Sequence, residues 1–138
     1  MLFGQKEDRM NVTYRVVVLK CTEDQQPSST VDDLIENVTG NILLDGTNRD
    51  RGNIVYQKYI KKTITPQLAP AGQERELTFT HKFWIPYKKL IKFSGNNGQQ
   101  FSGPKLYLYV FAYDAYGTAI TDNIAYYQMW HKLYYRDP

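Results

Sequence analysis

The chain has 138 residues, 42% of them hydrophobic and 22% charged, a length that suits one domain with a core of its own. Its single cysteine, Cys21, excludes an intramolecular disulfide framework and a cysteine cage for zinc. No stretch nears the ~18 apolar residues of a membrane span, and residues 1–10, MLFGQKEDRM, lack a signal peptide's apolar centre. The formal net charge is +3, but residues 1–52 carry 6 basic and 9 acidic side chains while residues 53–138 carry 11 and 5. A basic face suits an anionic partner such as nucleic acid or an acidic surface. A merely solvated face explains an excess of this size equally well.

Residues 12–19, VTYRVVVL, read as a strand, because β-branched and aromatic side chains suit a pleated surface. A polar loop follows at 22–29. The period then changes: Val31, Leu34, Ile35 and Val38 fall on one face of a helix. Thr30 and Asp33 resemble a capping box, and Gly40 sits where a helix would stop. One short helix over 31–38, inside a long connection, is expected. Residues 45–53 have loop chemistry, and 53–65, NIVYQKYIKKTIT, form the next strand. Neither of its faces is cleanly apolar, which suits a sheet edge or a position against a partner. Lys58, Lys61 and Lys62 there would also block unwanted strand pairing.

After a Pro/Gly loop at 66–73 comes the clearest alternation in the chain. Leu77, Phe79, His81, Phe83 and Ile85 share one parity; Glu76, Thr78, Thr80, Lys82 and Trp84 share the other. That pattern predicts a half-buried antiparallel strand over 75–85, closed by Pro86. Residues 88–93 predict a short strand and 94–104 a Gly/Asn loop. Residues 105–113, KLYLYVFAY, are apolar on both faces, which predicts a central or covered strand. Residues 123–135 form a long aromatic last strand. Six or seven strands, one short helix and no βαβ rhythm predict an all-β fold, an antiparallel β-sandwich or barrel.

The chemistry of catalysis is sparse. No H-E-x-x-H, G-x-S-x-G, Walker A or G-x-G-x-x-G pattern occurs. Cys21 is more simply a small buried apolar group than a nucleophile, and His81, on the apolar parity, a satisfied core residue. Asp32 and Asp33 are explained as first-turn acids of the predicted helix; with Glu36 they leave open a calcium ion shared between subunits. The Asn11-Val-Thr13 and Asn37-Val-Thr39 sequons carry little weight. The reading is non-enzymatic, with no cofactor and no metal.

Several segments, taken in order, resemble one family. They are RVVVLK at 15–20 with QQP at 25–27, DLIENV at 33–38, and RDRG at 49–52 leading into NIVYQKYIKKTI. FWIPYKKLIKFSGNN at 83–97, KLYLYVFAYD at 105–114 and the closing MWHKLYYRDP at 129–138 continue the series. Together they resemble the capsid proteins of small circular Rep-encoding single-stranded DNA viruses, the circovirus-like group, over most of residues 12–138. The resemblance implies a single viral jelly roll over 1–138, whose homo-oligomer is a shell of sixty copies around a single-stranded DNA genome. It implies residence in the virion, and in the host nucleus during assembly; the receptor stays unassigned. The family's Arg/Lys-rich arm has no counterpart in MLFGQKEDRM, and the family's first strand is in question with it.

Under that resemblance an inward face meets the genome through cations along the phosphate path and aromatic faces for bases. Arg49, Arg51, Lys58, Lys61, Lys62, Lys88, Lys89 and Lys92 are the cationic candidates, with Tyr59, Trp84 and Tyr87 as stacking partners. The twelve tyrosines suit wet subunit interfaces. The alternative is a cellular β-sandwich or OB-like module that holds single-stranded nucleic acid or glycan on an aromatic-basic face.

Overall fold

A computed structural model describes residues 1–6, 11–22, 34–36, 38–41, 43–63, 76–86, 92–94, 100–118 and 125–134. Among them run eight strands: β1 (Leu2–Lys6), β2 (Asn11–Cys21), β3 (Asn53–Thr63), β4 (Glu76–Thr80), β5 (Lys92–Ser94), β6 (Gln100–Ser102), β7 (Lys105–Tyr113) and β8 (Ala125–Gln128). Every pairing is antiparallel. The first sheet has the order β4-β1-β8, the second β3-β2-β7, and β5 pairs with β6 alone. A 3-10 turn, Arg49–Arg51, precedes β3.

β2 is the spine of the second sheet, and its sequence explains why. Val12, Thr13 and Val16–Val18 are β-branched and stiff, which favours the extended chain. Buried residues run down both of its faces. Val12, Tyr14 and Val16 pack with Phe3 of β1, and Phe79 of β4 joins the same cluster. The Phe3 ring meets Tyr14 edge-on at 4.8 Å and stacks on Phe79 at 4.9 Å. Tyr56 and Ile60 of β3 and Leu108, Val110 and Ala112 of β7 complete that cluster. The two sheets therefore share one apolar layer, in which each fully buried large side chain contributes about 1.5–3 kcal/mol.

The reverse face of β2 has a different cover. Val17, Leu19 and Cys21 pack with Leu34 and Ile35, with Tyr107, Tyr109 and Phe111 of β7 alongside. The 34–48 segment is held there by its own backbone. Ile35 bridges Thr47, Glu36 N–H donates to the Gly46 carbonyl at 2.9 Å, and Asn48 N–H to that of Leu34 at 2.8 Å.

Several expectations change. The helix predicted over 31–38 does not run past Leu34, because Ile35 is extended in its bridge to Thr47 and residues 38–40 bend; residues 31–33 and 37 lie outside the described residues. Of the two readings of 105–113, central or covered, the second holds: among the described residues β7 pairs with β2 alone, and it is covered on both faces. Of the last strand predicted over 123–135, the described residues form a ladder over Ala125–Gln128 and none over 129–134; residues 123, 124 and 135 lie outside the described residues. β6 falls inside the predicted 94–104 loop. β1, not foreseen, is the middle strand of its sheet.

Candidate nucleic-acid interface

Among the described residues β3 pairs on one side only, with β2, so its lysines do lie along a sheet edge. The register sorts them by face. Lys58 stands opposite Val16 and Lys62 opposite Val12, on the side that β2 turns to the first sheet. Lys62 Nζ lies 4.9 Å from the centre of the Phe79 ring. Tyr59 and Lys61 stand opposite Arg15 and Thr13, on the reverse side. Lys58, Tyr59 and Lys61 are exposed and Lys62 is half-buried. From Lys58 to Lys62 the strand advances about 13 Å, so three cations straddle a short length of edge.

Arg49 and Arg51 lie at the other end of β3, on the 3-10 turn that feeds Asn53. The turn is capped by Asn48, whose Oδ1 accepts from Asp50 N–H at 3.0 Å. Arg49 is exposed and Arg51 half-buried. Gly52 closes the turn at φ 150°, where a Cβ would stand 2.7 Å from Cys21 Sγ and 3.1 Å from the Lys20 carbonyl oxygen. Only glycine suits both the dihedral and the space.

Of the other candidates, Trp84 does not join this edge. Phe83 stacks on Tyr56 of β3 at 4.4 Å; Trp84, next along, is exposed on the opposite parity and meets Tyr134 at 5.4 Å. Lys92 is placed as backbone in β5, opposite Ser102. Tyr87, Lys88 and Lys89 lie outside the described residues.

A polar cluster that sequence reasoning missed sits beneath Tyr59. Arg15 is buried, yet its Nη1 donates to the Asp45 carbonyl at 3.0 Å and its Nη2 to Thr47 Oγ1 at 2.8 Å. Its Cζ lies 5.2 Å from the Tyr59 ring centre. The Asp45 carboxylate accepts from Thr39 N–H at 2.8 Å and from Thr39 Oγ1 at 2.7 Å. Burial works against ionisation there, but these bonds and those of the Val38 and Gly40 backbone outweigh it and hold the carboxyl below its ordinary range. An arginine inside VTYRVVVL was the available signal: a charge in a strand this apolar needs partners.

His81 is half-buried, with Nε2 2.7 Å from Tyr56 Oη. Burial first, then the Lys58 ammonium and the Met1 amine, push its pKa below 6.5. Burial also pushes the Cys21 thiol up, away from the thiolate a nucleophile needs, and its Sγ donates to the Arg51 carbonyl. Among the described residues no three His, Cys, Asp or Glu side chains converge on a metal position, and no helix is long and apolar enough to cross a membrane. Asp32 and Asp33 lie outside the described residues.

No protein-family model matches the chain, nor does any curated protein or solved structure.

Proposed function

We propose that the chain is a non-enzymatic viral coat protein, a single jelly roll that assembles with copies of itself around single-stranded DNA. The observation that carries the reading is a set of bare apolar side chains on two loops joined to each other. Val38 is 79% exposed, Leu44 74% and Tyr116 85%. Asn41 ties the loops together: its Nδ2 donates to the Tyr116 carbonyl at 3.2 Å, and its Oδ1 accepts from Leu43 N–H at 3.0 Å. Asp114 braces the second loop through the Tyr116 and Thr118 N–H groups. Apolar side chains held out on braced loops suit burial against a neighbouring subunit.

Two further features support the reading. The ordered series of segments from RVVVLK to MWHKLYYRDP resembles the circovirus-like coat proteins. Two three-stranded antiparallel sheets on a shared core form the layering that a jelly roll is built from. In this reading Lys58, Lys61 and Lys62, with Arg49 and Arg51 at the far end of β3, meet phosphates, and Tyr59 offers a face to a base. The protein would reside in the virion, with assembly in the host nucleus.

Electron microscopy of the purified chain, with and without single-stranded DNA, tests the proposal. Closed particles are expected, lost in a Leu44→Glu/Tyr116→Ser variant that keeps the wild-type circular dichroism. A wild-type chain that binds oligonucleotide or glycan but never forms particles would instead support the cellular β-sandwich or OB-like module.

A further inference from the structure

Tyr59 stands opposite Arg15 across the β2–β3 pair, with Gln57 and Lys61 before and after it on the same face of β3. Its ring is held at two points. The Arg15 Cζ lies 5.2 Å from the ring centre, and Gln57 Nε2 donates to the Tyr59 hydroxyl at 2.9 Å. Arg15 is itself fixed. It is 1% exposed, and its guanidinium donates to the Asp45 carbonyl and to Thr47 Oγ1. Those two acceptors belong to the segment that covers Val17 and Leu19, so the ring is tied to the core through Arg15. Tyr59 is nonetheless 41% exposed.

A tyrosine on a strand edge turns about two side-chain bonds and loses that freedom when a ligand settles on it. Here the ring is set before anything binds. Its surroundings are cationic. Lys61 stands about 7 Å further along the same face, Lys58 precedes Tyr59 on the other face, and both are exposed. An open aromatic face beside two cations fits a flat apolar group tethered to an anion. A nucleotide of a single strand has that form, with a base for the ring and a phosphate for a lysine. In a duplex the faces of the bases are already stacked. A neutral glycan would use the ring and leave the cations without a role.

We propose that Tyr59 is a pre-set platform for one unpaired base, and that Arg15 and Gln57 are the positioning residues that hold it. The base stacks on the ring face turned from Arg15, and Lys61 takes the adjoining phosphate. Every base has such a face, so the contact tolerates any sequence. The inference rests on the nucleic-acid part of the coat-protein reading and deepens it.

The full chain is titrated at low salt with labelled oligothymidylate and with an abasic oligonucleotide of the same length. The ratio of the two affinities reports what the bases add. Tyr59→Leu should lower that ratio about tenfold and leave the abasic affinity as it was. Gln57→Leu and Arg15→Met should each lower it about threefold, because the ring must then be ordered on binding. Tyr59→Phe, which keeps the ring without its bond to Gln57, should match Gln57→Leu. An Arg15 of purely structural role would lower the thermal midpoint and leave the ratio alone. Should Arg15→Met fail to fold, Gln57→Leu and Tyr59→Phe carry the test of positioning. A ratio unchanged in Tyr59→Leu overturns the proposal while the phosphate contacts of β3 stand. A ratio that falls in Tyr59→Leu but in none of the other variants overturns the positioning roles. Binding of neither oligonucleotide by the wild type overturns the nucleic-acid reading and this proposal with it. Tyr59-dependent binding of cellohexaose in place of oligothymidylate would assign the ring to a glycan, which also overturns it.

Discussion

Arg15 shows how one side chain can hold a covering segment in place. Its guanidinium reaches from the middle of β2 to the Asp45 carbonyl and Thr47 Oγ1, and so pins the 34–48 segment over Val17 and Leu19. Arg15→Met keeps the volume and removes the bonds; the loss expected is about 2–3 kcal/mol, read as a lower urea midpoint with an unchanged slope. Arg15→Lys should recover little, because a single ammonium cannot reproduce a planar fork. Tyr113 behaves oppositely. It is fully buried, burial pushes its pKa up, and its hydroxyl has no hydrogen-bond partner among the described residues. Tyr113→Phe therefore leaves the thermal midpoint unchanged or raises it; a fall of several degrees would reveal a partner for the hydroxyl. Neither residue's role was legible in the sequence. Arg15 is explained only by Asp45 and Thr47, thirty and thirty-two residues away.

At the scale of elements, a strand is legible in the sequence where its pattern is local and hidden where pairing decides it. β2 and β3 lie close to their predicted limits, and the alternation from Thr78 to Pro86 holds residue by residue, although β4 ends at Thr80 and its backbone pairing with the Met1–Lys6 segment at His81. β1, LFGQK, has a central glycine and polar neighbours, weak strand chemistry; it is a strand because β4 and β8 flank it. Residues 105–113 are apolar on both faces, the pattern of a central or covered strand, and β7 is the covered kind, with a separate cluster on each face. Among the described candidate side chains, those of β3 and its feeding turn fall along one edge, and strand parity separates Trp84 from them.

His81 joins β4's continuation to β3 through Tyr56, and this contact depends on pH. His81 Nε2 shares a hydrogen bond with Tyr56 Oη, and the folded pKa lies below the ordinary 6.5. The unfolded chain thus binds the proton more readily, and stability rises with pH across the interval between the two values. The contribution is fully present above 6.5 and is lost as pH falls through the lowered folded value. Thermal midpoints measured between about pH 5 and 8 should show this fall, and His81→Gln should flatten it. An equal slope in the variant would assign the effect to other groups.

The whole molecule combines an apolar core shared by two sheets, a cationic strand edge and apolar loop tips held outward. The cationic edge makes a quantitative prediction. Lys58→Gln, Lys61→Gln and Lys62→Gln combined should weaken binding to single-stranded DNA of any sequence, and reduce the slope of log K against log salt by about 2, at roughly 0.7 per phosphate contact. An unchanged slope would remove β3 from the nucleic-acid path. Self-assembly itself is tested most directly by the mass of the purified chain, from light scattering on a size-exclusion column with absorbance followed at two wavelengths. Sixty subunits of 16.1 kDa form a closed shell of about 1 MDa, and packaged nucleic acid adds absorbance in excess of the protein's own. A megadalton peak of that kind is the predicted result; a peak at the mass of one or two chains under every salt condition would contradict the account.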